Sequence, residues 1–157
     1  MVDARTRVLV LGSLPGDASL KAAQYYANPQ NGFWRLIGGV IGRDLHAMAY
    51  PDRVEALRAA GVGLWDVIAS AERAGSLDAA IRSPDAADLV GLTAGLPDLK
   101  AVAFNGAMAA KRGRRILAGA EGLTLVDLPS SSPAYAARTL TEKAEGWAVL
   151  KAFLPAP

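Results

Sequence analysis

The chain contains no cysteine, which excludes disulfides and thiolate-held metals. It has a single histidine, His46, so a multi-histidine metal site is excluded too. No acidic cluster suggests a carboxylate cage for a hard cation, and no metal is expected. No run of about 18 apolar residues occurs, so no membrane span and no membrane partner are expected. Met1 to Arg7 is polar and charged and lacks the apolar stretch of a signal peptide. The lack of cysteine fits a cytoplasmic protein. Internal repeats, low-complexity tracts and linkers are missing as well.

What is present is the balance of a globular protein. The 157 residues are 52% hydrophobic and 20% charged, which suits one domain over residues 1–157 with one core. Alanine and glycine supply much of the apolar count, so helices can pack closely on a sheet. The net charge of +2 permits nucleic-acid binding without demanding it.

Arg7-Val-Leu-Val-Leu-Gly12 is a continuous apolar run ending at glycine, the pattern of a parallel strand covered on both faces. Val62–Trp65, Ala101–Phe104 and Leu123–Leu128 read the same way. Helical patterns lie between them, at Phe33–Ile41, Asp52–Ala60 after Pro51, Ser76–Arg82, Ser83–Gly95, Gly106–Ala118 and Thr139–Phe153. Thr139 or Thr141 would cap the last helix, with Glu142 or Glu145 in its first turns. This alternation predicts an α/β fold, a three-layer α/β/α sandwich around a central four-stranded parallel sheet. Ligands of such sheets bind beyond the carboxyl ends of the strands.

Four segments at those ends carry chemistry. In Gly12-Ser-Leu-Pro-Gly-Asp-Ala-Ser-Leu20, glycine and proline allow a sharp turn with exposed amides. It is neither a Walker loop nor a dinucleotide fingerprint, since both spacings are absent. Tyr25-Tyr-Ala-Asn-Pro-Gln-Asn-Gly-Phe-Trp34 is aromatic and amide-rich. Flat rings stack on bases, and amides read base edges or hold water. Phe33 and Asn31 read as functional there, and Trp34 as core. Asn105, in Phe104-Asn-Gly-Ala107, places an amide where a buried strand ends. It either reads a ligand or caps the helix beginning at Gly106. Leu128-Pro-Ser-Ser-Ser-Pro-Ala-Tyr-Ala-Ala-Arg138 is a stiff loop with hydroxyls and amides for phosphates, and Tyr135 is placed to wedge into a base stack. The basic run Lys111-Arg-Gly-Arg-Arg115 reads as a solvated helix face.

In this order, the four segments resemble the uracil-DNA glycosylase superfamily, from about Val8 to Trp147. Gly12-Ser-Leu-Pro-Gly16 resembles its first motif, and Leu128-Pro-Ser-Ser-Ser-Pro133 its second, the minor-groove loop. Asn28-Pro-Gln-Asn-Gly-Phe-Trp34 resembles a stretch of the mismatch-specific and hypoxanthine-DNA glycosylase branches. Gly63-Leu-Trp-Asp-Val67 and Gly75-Ser-Leu-Asp78 are also similar to the hypoxanthine branch. The resemblance implies a base-excision repair enzyme without cofactor, working as a monomer on DNA with a damaged base, in the cytoplasm and at the nucleoid when bound. It implies that Gly12, Ser13, Leu14, Phe33 and Asn105 surround the flipped base, with Phe33 stacking on it and Asn105 reading its edge. Ser130, Ser131, Ser132, Pro133, Tyr135 and Arg138 would hold the DNA.

One departure matters. Other branches have aspartate or asparagine at the third position of the first motif, where this chain has Leu14. Leucine can neither activate nor orient water, so catalysis must rest elsewhere. Asn31 is the first candidate and Asp17 the second. Two rivals follow: a catalytically weak lesion-binding module on the same fold, and a serine hydrolase using Ser131 with His46. The latter lacks the Gly-x-Ser-x-Gly elbow.

Overall fold

Val8–Gly12 has no polar side chain, and all five residues are buried. Such a strand must sit inside a sheet and be covered on both faces. In a computed structural model, which describes residues 1–13, 17–66 and 84–156, it does both. It is β1, flanked on one edge by β2 (Val62–Asp66) and on the other by β3 (Ala101–Asn105), with β4 (Thr124–Leu128) outside β3. The order is β2-β1-β3-β4 and every pairing is parallel.

The alternation of side chains along β1 sorts two cores. Val8 and Val10 face one layer with α2 (Phe33–Ile41), α3 (Tyr50–Ala60) and α6 (Leu140–Trp147). Leu9 and Leu11 face the other, with α4 (Pro84–Ala94) and α5 (Ala107–Ile116). A short α1 (Asp17–Ala22) follows β1. This is the expected three-layer arrangement, and each fully buried Leu or Phe contributes about 2 kcal/mol.

Sequence periodicity misses some details. β4 is not covered on both faces: Thr124 and Asp127 are exposed, because an edge strand has a neighbour on one side only. The segment Thr139–Phe153 is not one helix. It is α-helical to Trp147 and 3-10 from Ala148 to Phe153. Residues three apart eclipse in a 3-10 turn, which puts Trp147 and Leu150, both 0% exposed, on one side. Thr139 caps α6 in a reciprocal box with Glu142, at 3.0 and 3.1 Å. Helix α3 starts two residues early, with Pro51 in its first turn. The predicted helix Ser76–Arg82, the start of the next at Ser83 and the motif Gly75–Asp78 lie outside the described residues.

The register aligns the carboxyl ends of the strands. Gly12 is level with Asp66, and Asn105 with Leu128. Four strand ends therefore present Gly12, Asp66, Asn105 and Leu128 along one edge.

Candidate active site

Asn105 is the hub of that edge. Its Nδ2 donates to Ser131 Oγ at 2.9 Å and to Tyr26 Oη at 3.2 Å, and its Oδ1 accepts from the Ser131 amide at 2.9 Å. It makes no side-chain cap on α5, which begins behind Gly106. The amide instead ties the end of β3 to the serine loop. Gly106 has φ of +97° and a Cβ there would meet Ser130 at 3.2 Å, so the chain needs glycine to turn so close to that loop.

Phe33 is not placed to stack on a base. It is 0% exposed, with Trp34 and Trp147 packed edge-on against it. Tyr26 covers it face to face, with centroids 3.9 Å apart and planes at 21°. Two tryptophans and a tyrosine thus turn Phe33 into a core residue that supports Tyr26. Tyr26 is half-buried, so it is the ring of this stack that keeps contact with solvent. Its φ is +53°, a left-handed conformation that costs an ordinary residue roughly 1–2 kcal/mol. Burial raises the Tyr26 hydroxyl above the usual phenol range, against the hydrogen bond from Asn105. It therefore stays protonated. Tyr26 was missed in the sequence because the Phe-Trp pair after it looked like the stacking element. A pair of tyrosines in an otherwise polar segment was the available signal.

Asn31 and its neighbours dock on the same hub. The amide of Gly32 donates to Ser131 O at 3.0 Å, and Asn31 Oδ1 accepts from Phe33 N at 2.9 Å. That bond begins α2 and uses one lone pair of the Asn31 oxygen. Among the described residues, the second lone pair and both N–H donors have no partner and remain for a ligand or water. Ser131 thus bonds both Asn105 and Gly32, the residue after Asn31. Leu14 lies outside the described residues, and Asp17 is described only as the first residue of α1. Gly12 is buried and Ser13 half-buried at the mouth of the first loop.

The serine loop is held from beneath. Trp147 Nε1 donates to Pro129 O at 2.8 Å, and Ser130 Oγ accepts from the Ser132 amide at 3.1 Å. Lys143, 5% exposed, donates to Ser132 O at 3.1 Å and lies 5.3 Å from the centre of the Tyr135 ring. Burial lowers its pKa. Pro133, Tyr135 and Arg138 stand exposed while Ser131 is buried. The loop therefore splits into an inner part bonded to Asn105 and an outer part facing solvent.

Asp66 is the carboxylate of this edge, half-buried, and burial pushes it up to about 6. It adds repulsion that helps hold Tyr25 up at about 12 and Tyr26 higher still, burial being the larger cause in both. His46 is exposed, its Nε2 3.3 Å from an Arg35 nitrogen, while Ser131 Oγ is bonded to Asn105. Among the described residues no serine–histidine pair forms, which argues against the hydrolase reading. The basic run is partly spent on packing: Arg114 bonds Asp127 at 3.0 Å and Leu125 O at 3.3 Å. Among the described residues no acidic or histidine cluster could hold a metal, and no helix is long and apolar enough to cross a membrane.

Comparison with known proteins agrees with this geometry. The family model of the uracil DNA glycosylase superfamily matches residues 1–153. A hypoxanthine DNA glycosylase of Methanosarcina barkeri is 40% identical over 148 residues, covering 94% of this chain and 92% of the relative. One of Methanosarcina acetivorans is 40% identical over 151 residues, covering 96% and 94%. A solution NMR structure of a Methanosarcina acetivorans protein, described as a candidate uracil DNA glycosylase, superposes with a TM-score of 0.74. It is 38% identical over 96% of this chain and 94% of that one. The chain belongs to the uracil DNA glycosylase superfamily.

Proposed function

We propose that this protein is a monofunctional DNA glycosylase that flips deaminated bases out of DNA and excises them by hydrolysis, with hypoxanthine, uracil and xanthine as substrates. The observation that carries the reading is the cluster of Asn105, Tyr26 and Ser131 at the carboxyl ends of the strands, to which the residue after Asn31 is bonded. The names of the two 40%-identical relatives favour hypoxanthine.

A base within a duplex is out of reach, so it is everted at a cost of a few kcal/mol, least at a mismatch. The carboxyl ends of the strands receive it, and the exposed outer part of the serine loop holds the strand while Tyr135 fills the gap. The bond between base and sugar breaks through an oxocarbenium-like state, and negative charge develops on the departing base. Oriented donors stabilise that charge, each worth about 3 kcal/mol. Asn105 Nδ2 and the protonated Tyr26 hydroxyl are such donors, once the base replaces bonds they now make to each other. Asn31 is neutral and orients water rather than deprotonating it. That suffices when bond breaking runs ahead of attack. The protein acts as a monomer, on DNA in the cytoplasm.

Duplexes each bearing one hypoxanthine, uracil or xanthine test the proposal under single-turnover conditions. Alkali-labile abasic sites are the expected product. Lesion binding with no base release would instead make the chain a recognition module.

A further inference from the structure

Asp66 has no part in the mechanism above, yet it shares that site. The register sets it level with Gly12, and its side chain crosses over the glycine. A Cβ built on Gly12 would lie 2.7 Å from Asp66 Oδ1 and 3.1 Å from Tyr26 Oη. Carboxylate and phenol thus both pack against the bare face of Gly12, where any side chain would displace them. Among the described residues, no donor forms a hydrogen bond to this carboxylate. The Tyr26 oxygen already accepts from Asn105, so its own hydrogen is left to donate. An acceptor and a donor therefore stand side by side at the floor of the site.

That pair is complementary to a lactam. Hypoxanthine offers N1–H beside O6, and uracil N3–H beside O4. Adenine and cytosine offer the reverse, a bare ring nitrogen beside an amino group. We propose that Asp66 is the specificity-determining acceptor for the ring N–H of a deaminated base, with the Tyr26 hydroxyl donating to the adjacent carbonyl. This rests on the glycosylase reading and deepens it. It also answers the leucine at position 14: the third position of the first motif carries no acid, and the neighbouring strand brings one to the same edge. A site built to pair a polar group rejects an analogue that leaves it unpaired far more strongly than an apolar pocket can. Guanine and thymine also carry a lactam, so this pair discriminates only against the amino bases.

The carboxylate is a stronger acceptor ionised than protonated. Its raised pKa of about 6 puts the change within an accessible pH range. Burial is the main cause, opposed by the Met1 amine, on which Arg58 of α3 acts in turn; Asp66 itself acts on Tyr25 and Tyr26 after α1. None of the tyrosines titrates near 6.

The test compares wild type, Asp66→Asn and Asp66→Leu on duplexes carrying hypoxanthine, uracil or adenine at one position. Single-turnover release and binding anisotropy are measured from pH 5 to 8, with thermal melts to establish folding. Asp66→Leu should lose roughly 100-fold or more in hypoxanthine and uracil release and its binding preference for hypoxanthine over adenine. Asp66→Asn keeps a carbonyl acceptor. It should retain release within about tenfold but lose the pH break near 6. Leucine variants that stay within threefold of wild type, with the preference intact, overturn the role of Asp66 and leave the glycosylase reading standing. Should wild type release no base, that reading fails, and the binding preference alone then decides on Asp66: loss in the leucine variant supports it, retention overturns it.

Discussion

Replacing Asp66 by asparagine should make the protein more stable at neutral pH and leave it unchanged in acid. Burial raises the carboxyl from 3.8 to about 6, so the folded state holds its proton more tightly than the unfolded chain. For a raised carboxyl, stability is fully present below the unfolded value and is lost as pH rises through the folded one. Two pKa units correspond to about 3 kcal/mol, and the remaining solvent contact of a half-buried side chain reduces this to about 2 kcal/mol. Asparagine has the same shape and no charge. The variant should match wild type near pH 4 and exceed it by about 2 kcal/mol at pH 8, or roughly 4–8 °C in Tm for a chain of this size. Urea titrations at both pH values read the difference directly. An offset of the same size at pH 4 and pH 8, or none at pH 8, would refute the burial argument. The penalty would be carried for function, as at other sites where stability yields to activity.

Other substitutions separate pocket from scaffold. Tyr26→Ala should cut both lesion binding and excision by about 10- to 100-fold, since losing one buried hydrogen-bonding partner costs about 1–3 kcal/mol; steady kinetics would remove the hydroxyl from the pocket. Asn31→Ala should lower single-turnover excision more than binding, and equal loss of both would argue against its role on water. Gly113→Ala should destabilise by about 1–3 kcal/mol despite the better helix propensity of alanine, because its Cβ would collide with the Phe104 ring; a melting temperature at or above wild type would contradict this. Lys143→Met should leave stability within about 1 kcal/mol, as burying and pairing an ammonium roughly offset. It should weaken duplex binding by about tenfold, and unaltered binding would show that the serine loop needs no support from α6.

The sheet was legible because buried parallel strands have no polar face to hide: Val8–Leu11 could hardly be anything else. The position of Asn105 was equally legible, since an amide closing such a strand must find partners. The Thr139–Glu142 box was readable from its three-residue spacing, although Thr141 was an alternative cap until the backbone settled it. What composition could not give was which of several adjacent aromatics would be covered. Phe33 and Tyr26 are seven residues apart, and only the packing of Trp34 and Trp147 around Phe33 decides that Phe33 is fully covered while Tyr26 is half-buried. Asp66 was hidden for a related reason. Its meaning depends on the register with Gly12, a pairing between residues 54 positions apart. The exposure of β4 likewise depends on its place at the edge, which its sequence does not encode.

The central claim is that Tyr26, Asn105 and Asn31 surround a single everted base. A 2′-fluoro-deoxyinosine duplex slows cleavage by destabilising the oxocarbenium-like state, so its complex with the protein can be crystallised. The account predicts the hypoxanthine outside the helix, its edge toward Tyr26, Asn105 and Asp66. A base still stacked in the duplex, or seated away from the carboxyl ends of the strands, would contradict it.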